Sequence, residues 1–168
     1  MEITELDPTF KFDVTREPGG EQLMRCFACG TCTASCPVRE IDEKFNPRRI
    51  IRMVLLGMRE EVLSSQFIWL CSTCYACQER CPQDVRITEL MSAIKNLAVK
   101  EGHLPAAYKM QLELIRNMGR LYEIDEFDNK KRSKAGLPEL ESTNEDVKKI
   151  FVMTGADRLI GGEEGGGE

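Results

Sequence analysis

The chain has 168 residues, 42% hydrophobic and 30% charged, with a formal net charge of −5. This balance suits one ordinary globular domain with a tail and excludes a wholly disordered chain. The acidity argues against a nucleic-acid partner, which calls for a basic footprint.

Residues 1–20 read as a short extended N-terminal arm. Phe10, Phe12 and Val14 alternate with polar positions, and Pro18-Gly19-Gly20 breaks the chain after them. An arm that docks a partner and a lead-in packed on the domain both fit that pattern. The start, Met1-Glu-Ile-Thr-Glu-Leu-Asp7, lacks the charged and apolar regions of a secretory signal. No apolar run approaches the roughly 18 residues of a membrane span, so a cytoplasmic protein with no membrane partner is expected.

The next stretch reads Cys26-Phe-Ala-Cys29-Gly-Thr-Cys32-Thr-Ala-Ser-Cys36-Pro37, and it recurs as Cys71-Ser-Thr-Cys74-Tyr-Ala-Cys77-Gln-Glu-Arg-Cys81-Pro82. Each cysteine lies 45 positions from its counterpart, and the two runs use all 8 cysteines. Between them, Asn46-Pro47 is a helix start, with a capping side chain and then a proline at the first helical position. Ile50, Ile51, Val54, Leu55 and Met58 follow as one apolar stripe. Gly57 weakens that helix near its end, and Arg48, Arg49, Arg52 and Arg59 read as a solvated face. A short turn carries Val62 and Leu63, and Phe67-Ile68-Trp69-Leu70 brings an apolar block against Cys71.

After the second run, Ile87, Leu90, Met91, Ile94, Leu97 and Ala98 form a second amphipathic helix that Gly102 closes. His103 beside it reads as a surface or capping residue. Pro105 opens a third helix along Met110, Leu114, Ile115 and Met118. Residues 123–136 are charged and read as a solvated connector. Ser142-Thr-Asn-Glu145 has capping-box spacing ahead of a last short helix. Strand-like alternation is nearly absent after residue 20, so the expected fold is all-α. The expected organisation is the arm at 1–20, a helical domain around the cysteines at 21–104, a C-terminal helical extension at 105–158, and a disordered Gly/Glu tail at 159–168.

The spacing C-x2-C-x2-C-x3-C-P is the bacterial-type iron–sulfur signature, in which each run gives three thiolates to one cluster and its fourth to the other. Two [4Fe-4S] clusters are therefore expected. Cys26, Cys29, Cys32 and Cys81 would hold one; Cys71, Cys74, Cys77 and Cys36 would hold the other. Interlocked runs keep the clusters near each other, as electron hopping requires. Gly30 permits close backbone approach to the first cluster, and burial by Phe27, Tyr75 and Trp69 is expected to tune the potentials. No dinucleotide fingerprint, flavin signature or acid–base–nucleophile set is present, so no catalytic residue is assigned. The chain reads as a wire whose terminals lie on other chains.

At Asn46-Pro-Arg-Arg-Ile-Ile-Arg-Met-Val-Leu-Leu-Gly57 and Ile68-Trp-Leu-Cys71-Ser-Thr-Cys74-Tyr-Ala-Cys77 the sequence resembles the C subunit of heterodisulfide reductase from methanogenic archaea, over roughly residues 20–120. The resemblance implies an alpha-helical ferredoxin domain and a cytoplasmic complex with the A and B subunits of that enzyme. The A subunit, which holds flavin, would receive electrons from a hydrogenase or formate dehydrogenase. This chain would relay one stream to the B subunit, which reduces the coenzyme M–coenzyme B heterodisulfide in methanogenesis. The cysteine-rich CCG motifs of the B subunit are missing, so the disulfide is not cleaved on this chain. Other readings are a relay subunit of a glycolate oxidase, anaerobic glycerol-3-phosphate dehydrogenase, fumarate reductase or sulfur-oxidising system, a free ferredoxin, and a structural zinc module.

Overall fold

Asn46 shows how local sequence starts the framework of this protein. Its side chain accepts a hydrogen bond from the Arg49 N–H, Pro47 takes the first helical position, and the helix runs Pro47–Leu56. Gly57 stops it in a left-handed conformation at φ 83°. The Met58 N–H then bonds the Met53 carbonyl and the Gly57 N–H bonds that of Val54, the pairing of a Schellman cap. Gly57 therefore terminates this helix and does not weaken its interior. A side chain there would also run into the Asp7 carbonyl.

The structure is a computed structural model and describes residues 6–159. The regular structure of those residues is all helical, with no strand among them. The Gly/Glu tail expected from residue 159 onward lies, apart from Leu159, outside the described residues. The chain divides into two compact units between His103 and Leu104.

In the first unit the helices are α1 (Phe10–Arg16), α2 (Thr31–Ala34), α3 (Pro37–Ile41), α4 (Pro47–Leu56), α5 (Arg59–Leu63), α6 (Ala76–Glu79) and α7 (Ile87–Lys100). Single 3-10 turns span Leu23–Arg25 and Phe67–Leu70. The core lies where α1 and α5 pack on α4 and α7. Phe10, Val14, Ile50, Ile51, Val54, Val62, Leu63, Ile68, Leu90, Met91 and Ile94 are buried there.

The extended reading of residues 10–16 does not hold. Phe10 and Val14 are four apart, share one face of α1 and are fully buried, whereas Phe12 is 46% exposed. Positions 10, 12 and 14 fit a period of two as well as this helical pair, and packing against α4 and α7 favours the helix. Arg59 is likewise no solvated residue. Its guanidinium pairs with Asp7 at 2.8 Å, Asp13 at 2.7 Å and Glu101, and lies 5.3 Å from the centroid of the Phe10 ring. Its pKa is raised, chiefly by the Glu101 hydrogen bond. The Lys100 ammonium adds a bond of 2.6 Å to Glu17 from the end of α7 back to the end of α1.

The second unit holds α8 (Ala106–Met118), α9 (Glu126–Lys134) and α10 (Glu145–Met153), followed by a 3-10 turn at Ala156–Leu159. Within it α8 packs on α10, and Phe151 is the buried side chain of that pair. The charged stretch expected to be a connector is helical over α9, because the Asp125 carboxylate caps the Asp128 N–H at 2.8 Å. The cap of α10 is Asn144, which accepts from the Val147 N–H, and not Ser142.

Candidate metal centres

The two cysteine runs fold alike. Ala28 and Thr73, 45 positions apart, have φ of 61° and 52°, and Gly30 and Tyr75 have φ of 91° and 63°. Each run then enters a short helix, α2 from Thr31 and α6 from Ala76, and these two helices pack together. Left-handed residues at alternate positions bend each loop so that its N–H groups suit an anion or an iron–sulfur cluster. Left-handed backbone costs roughly 1–2 kcal/mol for a residue with a Cβ. All four such residues among those described, Ala28, Thr73, Tyr75 and Asp84, lie within or directly after the cysteine runs. Strain concentrated in this way marks a functional site.

Beneath each loop is a cavity. The first, of about 330 Å³, is lined by Cys26, Cys29, Cys32 and Cys81, with Arg48 and Ile87. The second, of about 320 Å³, is lined by Cys36, Cys71, Cys74 and Cys77, with Ile87, Thr88 and Tyr75. The last cysteine of each run thus stands in the wall of the other run's cavity, carried across by α2 or α6. Ile87 borders both cavities and is 2% exposed. Two long helices begin here: Pro47 and Arg48 of α4 line one cavity each, and α7 opens at Ile87 and Thr88. The positive ends of both helix dipoles therefore face groups that carry negative charge when metallated.

The donor set fits two cubane clusters. Four soft thiols surround each of two nearly equal cavities, and thiolate sulfur is the ligand for iron–sulfur centres. No three His, Cys, Asp or Glu groups among the described residues close on a point for a single ion. Burial pushes the Cys32 thiol up to about 11 and raises that of Cys77 as well, while a hydrogen bond with the Thr31 hydroxyl lowers Cys29. To hold iron these buried thiols would have to give up their protons, which would make cluster binding depend on pH.

Polar partners reach several of the sulfurs. The Thr31 hydroxyl lies 3.3 Å from Cys29 Sγ, the Val85 N–H donates to Cys81 Sγ at 3.3 Å, and the Thr88 hydroxyl lies 3.7 Å from Cys77 Sγ. Thr88 is the buried polar residue among the described residues of the unit, 2% exposed, on the otherwise apolar face of α7. Sequence reasoning missed it; its signal is a hydroxyl interrupting an apolar stripe. Thr33 was also missed. Its hydroxyl donates to Asn46 Oδ1 at 2.8 Å and accepts from the Arg48 N–H at 3.1 Å, which fixes α2 against the start of α4.

The aromatic residues behave differently from expectation. Phe27 and Tyr75 line the cavities but are 61% and 48% exposed, so they form an open rim and not a cover. Trp69 packs against the core with the Lys95 ammonium 5.9 Å from its ring centroid. His103 sits at the cap of α7, 3.9 Å from Glu60, and takes no part in either cavity.

Among the described residues no helix is long and apolar enough to cross a membrane. A family profile for a 4Fe-4S dicluster domain matches residues 22–85, which span both cysteine runs. The chain carries two [4Fe-4S] clusters accordingly. It is 38% identical over 150 residues to the C subunit of the H2:CoB-CoM heterodisulfide,ferredoxin reductase of Methanothermobacter thermautotrophicus, over 85% of this chain and 80% of that one. It is 34% identical to the iron-sulfur C subunit of the CoB–CoM heterodisulfide reductase of Methanopyrus kandleri, over 94% of this chain and 88% of the relative. The C subunit of the ferredoxin:CoB-CoM heterodisulfide reductase of Methanosarcina mazei is 40% identical over 74% of this chain and 76% of its own length. Identity at this level over most of both lengths reaches well beyond the cysteines, and the chain belongs to the family of heterodisulfide reductase C subunits.

Proposed function

We propose that this chain is the electron-relay subunit of a cytoplasmic heterodisulfide reductase complex. It takes electrons from the flavin-bearing A subunit, itself supplied by a hydrogenase or formate dehydrogenase, and delivers them to the B subunit, which reduces the coenzyme M–coenzyme B heterodisulfide. Cys26, Cys29, Cys32 and Cys81 hold one cluster; Cys71, Cys74, Cys77 and Cys36 hold the other. The observation that carries this reading is the exchange of the fourth cysteine between cavities that share Ile87 as a wall. Such an exchange ties the two centres into one rigid pair.

Each cluster, when bound, stores and releases a single electron. The rest of the work belongs to the chain. The left-handed loops hold three sulfurs on one side, and α2 and α6 carry the fourth across. The buried Ile51, Val85, Ile87 and Met91 in the cavity walls exclude water from the inner side. The exposed Cys29 and Cys74 loops leave each centre one face open to a partner chain. Residues 105–158 serve as the extension by which the relay is held in its complex.

The test is anaerobic reconstitution of the complex with the wild-type chain, with Cys81→Ser, and without the chain. Heterodisulfide reduction from the physiological donor is expected to fall to background in the last two. Reduction by an artificial dye feeding the B subunit directly is expected to persist. A full rate from the physiological donor without this chain would refute the relay.

A further inference from the structure

The two halves repeat in backbone but not in electrostatics, and the difference has a direction. Arg48 lines the first cavity, and no lysine or arginine lines the second. Its backbone is fixed in the first turn of α4 by the bond to Thr33. Its side chain crosses the first cysteine loop at Gly30, where an added Cβ would lie 3.7 Å from the Arg48 Cδ and from one guanidinium nitrogen. The counterpart of Gly30 in the other loop is Tyr75, so the space over that loop is bordered by a ring and not by a cation.

We propose that Arg48, seated over Gly30, holds the cluster of the first cavity at a higher reduction potential than the cluster of the second. This rests on the ligand sets proposed above. A reduced cluster carries one more negative charge than an oxidised one, so a nearby cation favours the reduced form. Arginine stays protonated at any working pH, which makes this bias permanent. Donors to sulfur act in the same sense. The first set has two at 3.3 Å, from Thr31 and the Val85 N–H, and the second has one at 3.7 Å, from Thr88. Beside the first set Arg25 is offset by Asp84 at 3.7 Å, and each set has one exposed cysteine. Arg48 is itself exposed, so solvent screening limits the effect to about tenfold in the equilibrium that shares one electron between the centres. Moving that electron oxidises one centre and reduces the other by one, with no bond or proton changed. Arg48 is thus a positioning residue for charge, which makes the pair a wire with a preferred resting end.

The test is a potentiometric titration of the anaerobic two-cluster protein followed by electron paramagnetic resonance. Cys29→Ser and Cys81→Ser are made first, and both should alter the same spectrum, leaving to Cys74→Ser the other one. If Cys29→Ser and Cys81→Ser alter different spectra, the ligand sets fail and this inference falls with them. With the spectra assigned, the first cluster should titrate at the higher midpoint in the wild type. Arg48→Met should lower that midpoint by about 59 mV, the equivalent of tenfold for one electron, and Arg48→Lys should restore part of it. The second midpoint should move much less. A wild-type first midpoint at or below the second, or a shift shared equally by both clusters, overturns the inference while the ligand sets stand. If Arg48→Met does not assemble, the wild-type order and the Arg48→Lys and Arg48→Gln midpoints decide by the same criteria.

Discussion

Arg59→Met separates a structural cation from an ornamental one. The methionine keeps most of the stem and removes the guanidinium that joins three segments of the first unit: the Asp7 turn, α1 through Asp13, and the end of α7 through Glu101. The arginine is 27% exposed and its partners 28–31%. These pairs therefore lie between fully exposed ones, worth a few tenths of a kcal/mol, and buried charge-assisted bonds, worth 1.5–3 kcal/mol. At about 1 kcal/mol for each carboxylate the loss is about 3 kcal/mol. Three carboxylates left facing one another push the value up, and their rehydration pulls it down. For a unit near 100 residues this corresponds to a fall in Tm of about 12–24 °C. The assay is anaerobic thermal unfolding of the cluster-loaded protein, followed by far-ultraviolet circular dichroism at one fixed scan rate, because cluster loss makes the transition kinetic. Arg59→Lys keeps the charge without the fork and should recover only part of the loss. High salt should narrow the gap between wild type and Arg59→Met, since at 1 M the screening length is about 3 Å. A Tm for Arg59→Met within about 2 °C of wild type would show that the three pairs contribute nothing and that burial alone holds α1.

Further expectations follow from single contacts. Cys36→Ser should cost the second cluster and Cys81→Ser the first, each halving the iron and sulfide content; loss of the same cluster from both would contradict the exchange. Gly57→Ala forces a side chain into left-handed backbone and against the Asp7 carbonyl. It should destabilise by about 2–4 kcal/mol, measured by the same melts. Asn46→Ala removes the cap of α4 and the acceptor of the Thr33 hydroxyl proton, and should cost about 1–2 kcal/mol. Its iron content should stay at the wild-type level, because Asn46 touches no cysteine sulfur.

What the sequence could disclose was whatever is written locally. The cap and proline at Asn46-Pro47, the stripes of α4 and α7, and the doubled cysteine spacing all act within a few turns of chain, and each was legible. Contacts across long separations were not. Arg59 reaches carboxylates 42, 46 and 52 positions away, and nothing in Arg59-Glu60-Glu61 announces them. The α1 helix was lost to an ambiguity of period, and α9 to its charge, since a helix that buries nothing leaves no apolar stripe to read. Phe27 and Tyr75 were expected to bury the clusters because aromatics usually do. The left-handed turns that let the loops wrap their cavities instead leave those side chains outside.

The site itself divides the same way. The repeat of 45 positions was visible, and it extends to the backbone angles of each loop. A repeat, however, specifies only what two halves share, and a pair of identical clusters would give an electron no preferred place. The inequality must come from residues outside the motif or from the variable positions within it. Here it comes from both: glycine at 30 where the other loop has tyrosine, and an arginine delivered to that opening by α4. Arg48 was grouped with its neighbours as a solvated face, and by exposure it is one. Only the fold shows that the same side chain also borders the first cavity.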